Sequence, residues 1–267
     1  MALPGGVWNG KTLDRGFRFR DVTGALELEL EEAVRQERSA PDRVTHVLAL
    51  ALQSVGGRKV DTQSVRNLSV ADRQFLMRRL ACHLNAEREW HSALCPSCKA
   101  VFDVRLRPSE LPIKPAGDSF PFVTVPTRYG RLRFRVPNGA DQECIAALDD
   151  ETRAVPVLLQ RLLVEDESNA AALEFSEDDA AAIELAIESV APELVVWVPT
   201  ECPECKTETR VEINPYAHLQ SGRNSLLREV HRLASAYHWS ERDILQMPRD
   251  RRHRYLTLVE EARGMMH

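Results

Sequence analysis

Two Cys-Pro-x-Cys turns, Cys95-Pro96-Ser97-Cys98 and Cys202-Pro203-Glu204-Cys205, lie about a hundred residues apart, and a lysine follows each, Lys99 and Lys206. The text around them matches as well: His91 to Leu106 and Val198 to Ile213 both run through a cysteine pair into strand-like alternation. Zinc takes four ligands in a tetrahedron and holds thiolates at about 2.3 Å. One turn supplies two ligands. Two turns complete a site and fasten distant parts of one chain together.

Composition narrows the class. The net charge is -5 and aromatic residues make up 6%, which argues against a generic nucleic-acid binder with its basic excess and stacking platforms. The longest apolar run, Val47 to Leu52, falls far short of the roughly 18–20 residues of a membrane span. No secretory leader pattern opens the chain, so synthesis in the cytoplasm is the expectation. Six cysteines in that setting point to metal rather than to a disulfide framework. Cys82 and Cys144 fall among apolar residues in helix-like text and read as buried thiols.

Residues 1–16 lack periodicity and read as a loose arm. Phe17-Arg-Phe-Arg20 then alternates as a strand, Asp21 to Gly24 turns, and Ala25 to Glu37 follows as a helix. A helix opening near Pro41 carries the stripe Val44, Val47, Leu48, Ala51, Leu52 and Val55 and should stop at Gly56-Gly57. Ser69, with Asp72 three residues on, caps a third helix whose core face holds Phe75, Leu76, Leu80 and a packed His83. Prolines 108, 112, 115 and 121 mark a linker.

The order then recurs. Leu132-Arg-Phe-Arg135 echoes the first strand and Asn138-Gly139 the turn; short helices cover Asp141 to Leu148 and Val155 to Leu163. Glu165 to Asn169 reads as an acidic solvated loop. Ser176 with Asp179 caps a helix as Ser69 does with Asp72, and strands flank the second knuckle. The expected architecture is α+β and helix-rich: a flexible arm (1–16), two related lobes (17–125 and 126–216), each with a zinc-knuckle β-hairpin, and a helical tail (217–267). In the tail Arg249, Arg251, Arg252 and Arg254 gather at a helix start, either as a solvated basic face or as a dock for acidic partners.

Three chemistries compete for the knuckles. A structural zinc site would use Cys95, Cys98, Cys202 and Cys205 together and leave no open position. A thiol oxidoreductase needs one Cys-x-x-Cys, usually at a helix N-terminus, and here strands follow both pairs. A catalytic zinc needs three ligands and a general base, and no second His or Glu stands at helical spacing to serve. No phosphate loop, Gly-x-Ser-x-Gly or His-Glu-x-x-His occurs, so an enzyme is the weakest class.

On these residues the chain resembles the T-even phage baseplate hub assembly protein family and its relatives in contractile injection systems. The resemblance is carried by Phe17 to Gly24 with the acidic helix after it, by Leu68 to Met77, and by the knuckle leading into Val104 to Pro112. It spans roughly Phe17 to Val125. The segments Leu226 to Ser240, Ile244-Leu245 and Pro248 to Tyr255 resemble a short helical module of small tail and baseplate proteins. The resemblance implies a non-enzymatic part of a phage-like particle, with other baseplate, tube or spike proteins as partners. No membrane and no small-molecule substrate are expected as partners, and the acidic balance makes nucleic acid a poor candidate. The alternative is a zinc-ribbon protein that contacts nucleic acid, against which Glu201, Glu204, Glu208 and Glu212 crowd the second knuckle.

Overall fold

The computed structural model describes residues 1–84, 90–164, 173–214 and 225–264, a mixed helix-and-sheet chain of small sheets and mostly short helices. Glu165 to Asn169 and residues 217–224 lie outside the described residues.

Strands β1 (Ala2–Trp8), β2 (Leu13–Phe19), β3 (Leu52–Val55) and β4 (Arg58–Lys59) pair antiparallel in that order. Helices α1 (Gly24–Arg35), α2 (Ala40–Ala51), α3 (Thr62–Arg66) and α4 (Val70–His83) complete the first unit. Its core joins Phe17 and Phe19 to Leu26, Leu48, Leu76 and Leu80. His83 packs as expected, stacked on Phe19 with its Nε2 2.8 Å from the Arg20 carbonyl.

Two expectations are corrected by the fold. Residues 1–16 are not a loose arm: they supply β1 and most of β2, and Leu3 is buried. The reason is Asp72, which accepts the amides of Gly5 (2.8 Å) and Gly6 (3.1 Å) from inside the core. A side chain at Gly5 would meet Asp72 and the Phe120 ring, so the glycines that suggest looseness permit a close approach. Burial pushes the Asp72 carboxyl above the usual range, against the amides and the Ser69 hydroxyl that lower it. The second correction concerns α2, which ends at Ala51 rather than at Gly56-Gly57. Leu52 to Val55 pair instead with β2, Val55 opposite Phe17, and the positive φ of Gly56 and Gly57 turns that strand into β4.

The second unit is built on a two-stranded hairpin where the first has a four-stranded sheet. Strands β8 (Phe122–Thr127) and β9 (Gly130–Arg135) form a hairpin under α5 (Gly139–Ala146), α6 (Ala154–Leu162) and α7 (Glu177–Val190). Its core gathers Phe120, Val123, Val125, Phe134, Leu162 and Ile183, so a boundary at 125/126 cuts through β8. The proline-rich stretch is pinned too: β7 (Ile113–Lys114) pairs with β10 (Glu193–Leu194) across the two units.

Asp141, buried at the start of α5, holds the second unit together. Its carboxylate takes Arg135 Nη2 (2.8 Å), Arg161 Nε (2.9 Å) and the Asn138 amide (3.0 Å). Burial raises its pKa, but the Arg135 hydrogen bond, the amide and Arg161 win, and the group sits below the ordinary carboxylate value. A depressed folded pKa gives stability that is present above the unfolded value and lost as pH falls through the folded one. Asp141→Asn should therefore cost about 2–3 kcal/mol at pH 7. Urea unfolding should show the gap to the wild type closing below about pH 4.

The tail folds on its own small core. Helices α8 (Ser225–Tyr237), α9 (Glu241–Gln246) and α10 (Arg249–Gly264) bury Leu226, Val230, Leu233, Ile244 and Leu256 beside the mutually packed rings of Tyr237, Trp239 and Tyr255. The arginine cluster divides. Arg249 and the fully buried Arg252 pair with Glu27 of α1, and Arg252 also reaches Glu229, while Arg251 and Arg254 stay exposed. An acidic partner for half the cluster thus lies within the chain.

Candidate metal centre

Between the units stand two more hairpins. Strands β5 (Trp90–Leu94) and β6 (Val101–Arg105) flank the first knuckle, and β11 (Trp197–Glu201) and β12 (Glu208–Glu212) the second. The strand that the spacing predicts over Leu194 to Val198 is split: Leu194 belongs to β10 and β11 starts at Trp197. The hairpins share one apolar seam, in which Ala93 packs with Val211 and Ile213 against Phe102, Val104 and Val198.

Each knuckle closes in the same way. The Cys95 amide donates to the Ala100 carbonyl (2.9 Å) and the Lys99 amide to the Cys95 carbonyl (3.2 Å). In the second turn the pairs are Cys202 to Thr207 and Lys206 to Cys202, both 3.0 Å. Lys99 and Lys206 adopt φ of 62° and 61°, a left-handed conformation that a side chain rarely takes. That twist folds the chain back so that amide N–H groups point at sulfur. Lys99 Nζ turns back on its own knuckle and donates to the Pro96 carbonyl at 2.8 Å.

The geometry brings all four expected residues together. The sulfurs of Cys95, Cys98, Cys202 and Cys205 lie within 4.8 Å of one another. Two pairs cross between knuckles at 3.6 Å, Cys95 to Cys205 and Cys98 to Cys202. A tetrahedron with metal–sulfur bonds of about 2.3 Å has sulfur–sulfur edges of about 3.8 Å, so the cluster has the size of a four-thiolate shell. The cysteines are free rather than bridged. Exchanging the knuckles exchanges the two close pairs, so the centre has an approximate two-fold. Cys95 and Cys202 are buried, and Cys98 and Cys205 are exposed.

The thiols do not ionise alike. Amides of Cys98 and Ser97 draw the Cys95 thiol below its ordinary value. The Thr207 hydroxyl, then its amide, pull Cys205 down to about 6. The Ala100 amide lowers Cys98, but the Cys205 sulfur, burial and the remaining sulfurs outweigh it and push that thiol up to about 12. Crowded sulfurs compete for charge; a bound cation removes the competition. Four protein thiolates leave no position open for a substrate.

The other two cysteines stand apart from this centre. Cys82 and Cys144 are half-buried, and Cys82 Sγ lies against the Arg78 carbonyl of its own helix. Sequence reasoning missed Arg73 and the burial of Arg252. Their signal was a glycine just after each N-cap, Thr23-Gly24 and Asn138-Gly139, where alanine is the better helix former by about 1 kcal/mol. Among the described residues no helix is long and apolar enough to cross a membrane. Compared with protein-family models, curated proteins and solved structures, the chain matches none.

Proposed function

We propose that this chain is a non-enzymatic scaffold, a duplicated pair of units stapled by one structural zinc, that serves as a structural or assembly part of the baseplate or tail of a phage-like contractile particle. The observation that carries the scaffold reading is the four-sulfur cluster drawn equally from both halves, with no site left open for chemistry. Zinc suits it because tetrahedral thiolate sets select that ion or iron–sulfur centres.

The duplication is supported by correspondence at a single offset. Ser69 and Ser176 cap α4 and α7, and Asp72 and Asp179 fill the same capping position. Trp90 and Trp197 open the hairpins, and cysteines and left-handed lysines follow in step. The baseplate assignment comes from the resemblance over Phe17 to Val125 and the tail module. It fits a protein whose work is presenting rigid surfaces to other subunits.

Two measurements test the reading together. Elemental analysis of the purified chain should give close to one zinc per polypeptide. A tagged copy purified from its native operon should bring down tube, spike or sheath proteins by mass spectrometry. Recovery of polymerase or ribosome would instead favour the zinc-ribbon alternative. One feature speaks for that alternative: exposed Trp197 lies under the Arg210 guanidinium, 5.3 Å from the ring centroid, a pairing that also stacks bases. A salt-dependent shift of DNA or RNA at low ionic strength would support it, and no shift would end it.

A further inference from the structure

One joint occurs twice in this molecule. Where the second unit meets the first, the Gly139 amide donates to the Leu68 carbonyl and the Val70 amide to the Pro137 carbonyl. Ser69 and Asn138 form an isolated antiparallel bridge there. Arg73, the fourth residue of α4, lies buried over Gly139. Where the tail meets the first unit, the Gly24 amide donates to the Met247 carbonyl and the Arg249 amide to the Val22 carbonyl. Thr23 and Pro248 make the bridge, and Arg252, the fourth residue of α10, lies buried over Gly24.

The parts correspond one for one. A helix start (Leu68-Ser69-Val70 with Arg73, or Met247-Pro248-Arg249 with Arg252) grips a strand-to-helix corner ending in glycine. A glutamate on the corner's own helix answers the arginine. Glu27 takes Arg252 directly at 2.8 Å, and Glu143 is reached through the Thr45 hydroxyl that Arg73 also contacts. A Cβ at Gly139 would collide with the Arg73 guanidinium, and one at Gly24 would press on Leu245 and sit 3.2 Å from Arg252 Nη1. The start of α7, Phe175-Ser176-Glu177, has Ala180 at that position.

Among the described residues two corners are thus each joined to an arginine-bearing start. One pair is fixed inside the joined units. The other pair links the units to a tail that has a separate core and adds few apolar contacts to the first unit, chiefly through Leu28 and Leu245. We infer that the corner Val22–Gly24 with Glu27 is a docking surface for arginine-bearing helix starts, filled here by the chain's own tail, and that it also takes the tail of a second copy. Exchange between copies makes the same contacts as closure within one, so concentration and the state of the resident tail decide which forms. The inference rests neither on the metal nor on the baseplate reading.

Two full-length variants test it. Arg249→Glu with Arg252→Glu disables the tail and leaves the corner intact; Glu27→Arg disables the corner and leaves the tail intact. Each alone should run as a monomer by light scattering. Their mixture at micromolar concentrations should give a one-to-one heterodimer, because the good tail of one finds the good corner of the other. Wild type mixed with the Glu27→Arg chain should stay monomeric, its corner being filled. A mixture that stays monomeric while both variants keep native circular dichroism and metal content overturns the proposal, and so does dimerisation of either variant alone. If these reversals unfold the chain, Glu27→Gln and Arg252→Gln replace them. Loss of cooperative folding in that milder pair also overturns it, since a joint the fold cannot lose is not a docking surface.

Discussion

Replacing Cys202 by serine should strip the stoichiometric zinc and loosen both hairpins, not only the one that carries the change. Cys202 is buried, and its sulfur is 3.6 Å from that of Cys98 in the other knuckle. Structural zinc in small modules contributes about 10–16 kcal/mol, much of it as folding free energy. Losing even about 5 kcal/mol would lower the thermal midpoint of a chain this size by roughly 10–20 °C. The two-hairpin effect follows from shared packing, since Ala93 of β5 lies against Val211 of β12 and Ile213 just beyond it. Hydrogen exchange should accelerate at amides of β5 and β6 as much as at those of β11 and β12. A reductant-resistant wild-type fold with no metal, or a variant whose faster exchange is confined to β11 and β12, would refute the staple.

Gly139→Ala should be nearly as damaging, although by helix propensity alone it would stabilise by about 1 kcal/mol. A Cβ at Gly139 would stand 2.5 Å from Arg73 Cζ. Arg73 cannot yield, because it is buried and its guanidinium donates to the Pro41 carbonyl (2.7 Å), the Thr45 hydroxyl (2.8 Å) and the Val65 carbonyl (3.3 Å). Displacing a buried charge from its partners costs about 3–5 kcal/mol, which outweighs the propensity gain. Urea midpoints measure it directly. Gly264→Ala, with nothing within 4 Å of its Cβ position, is the control and should be neutral or slightly stabilising. Equal midpoints for the two variants would show that Arg73 moves freely.

The sequence carried some features and hid others for identifiable reasons. The capped helices opening at Ser69 and Ser176 were legible because capping is local: a hydroxyl, an acid three residues on, and an apolar stripe. The four cysteines were legible because ligand spacing is written into each turn. The first strand was hidden because its partner is remote. Nothing in Pro4-Gly5-Gly6 reveals a carboxylate waiting at Asp72. The end of α2 is ambiguous in sequence because Leu52 and Val55 fit a helical stripe as well as they fit β3, and pairing with β2 decides it. The turns at Gly24 and Gly139 were legible, but their joining to Arg252 and Arg73 escaped because each half of a joint looks ordinary until both are in place.

The near two-fold of the sulfur centre has a consequence for how the polypeptide is made. Neither knuckle can satisfy the ion alone, and the second leaves the ribosome about a hundred residues after the first. At translation speeds of 5–20 residues per second the half-built shell waits roughly 5–20 s for its other half. Capture of an ion by all four thiols is thereby tied to synthesis of the second knuckle: a product cut short before Cys202 would keep its first two thiols unclosed, and a bound ion would report that both knuckles have arrived.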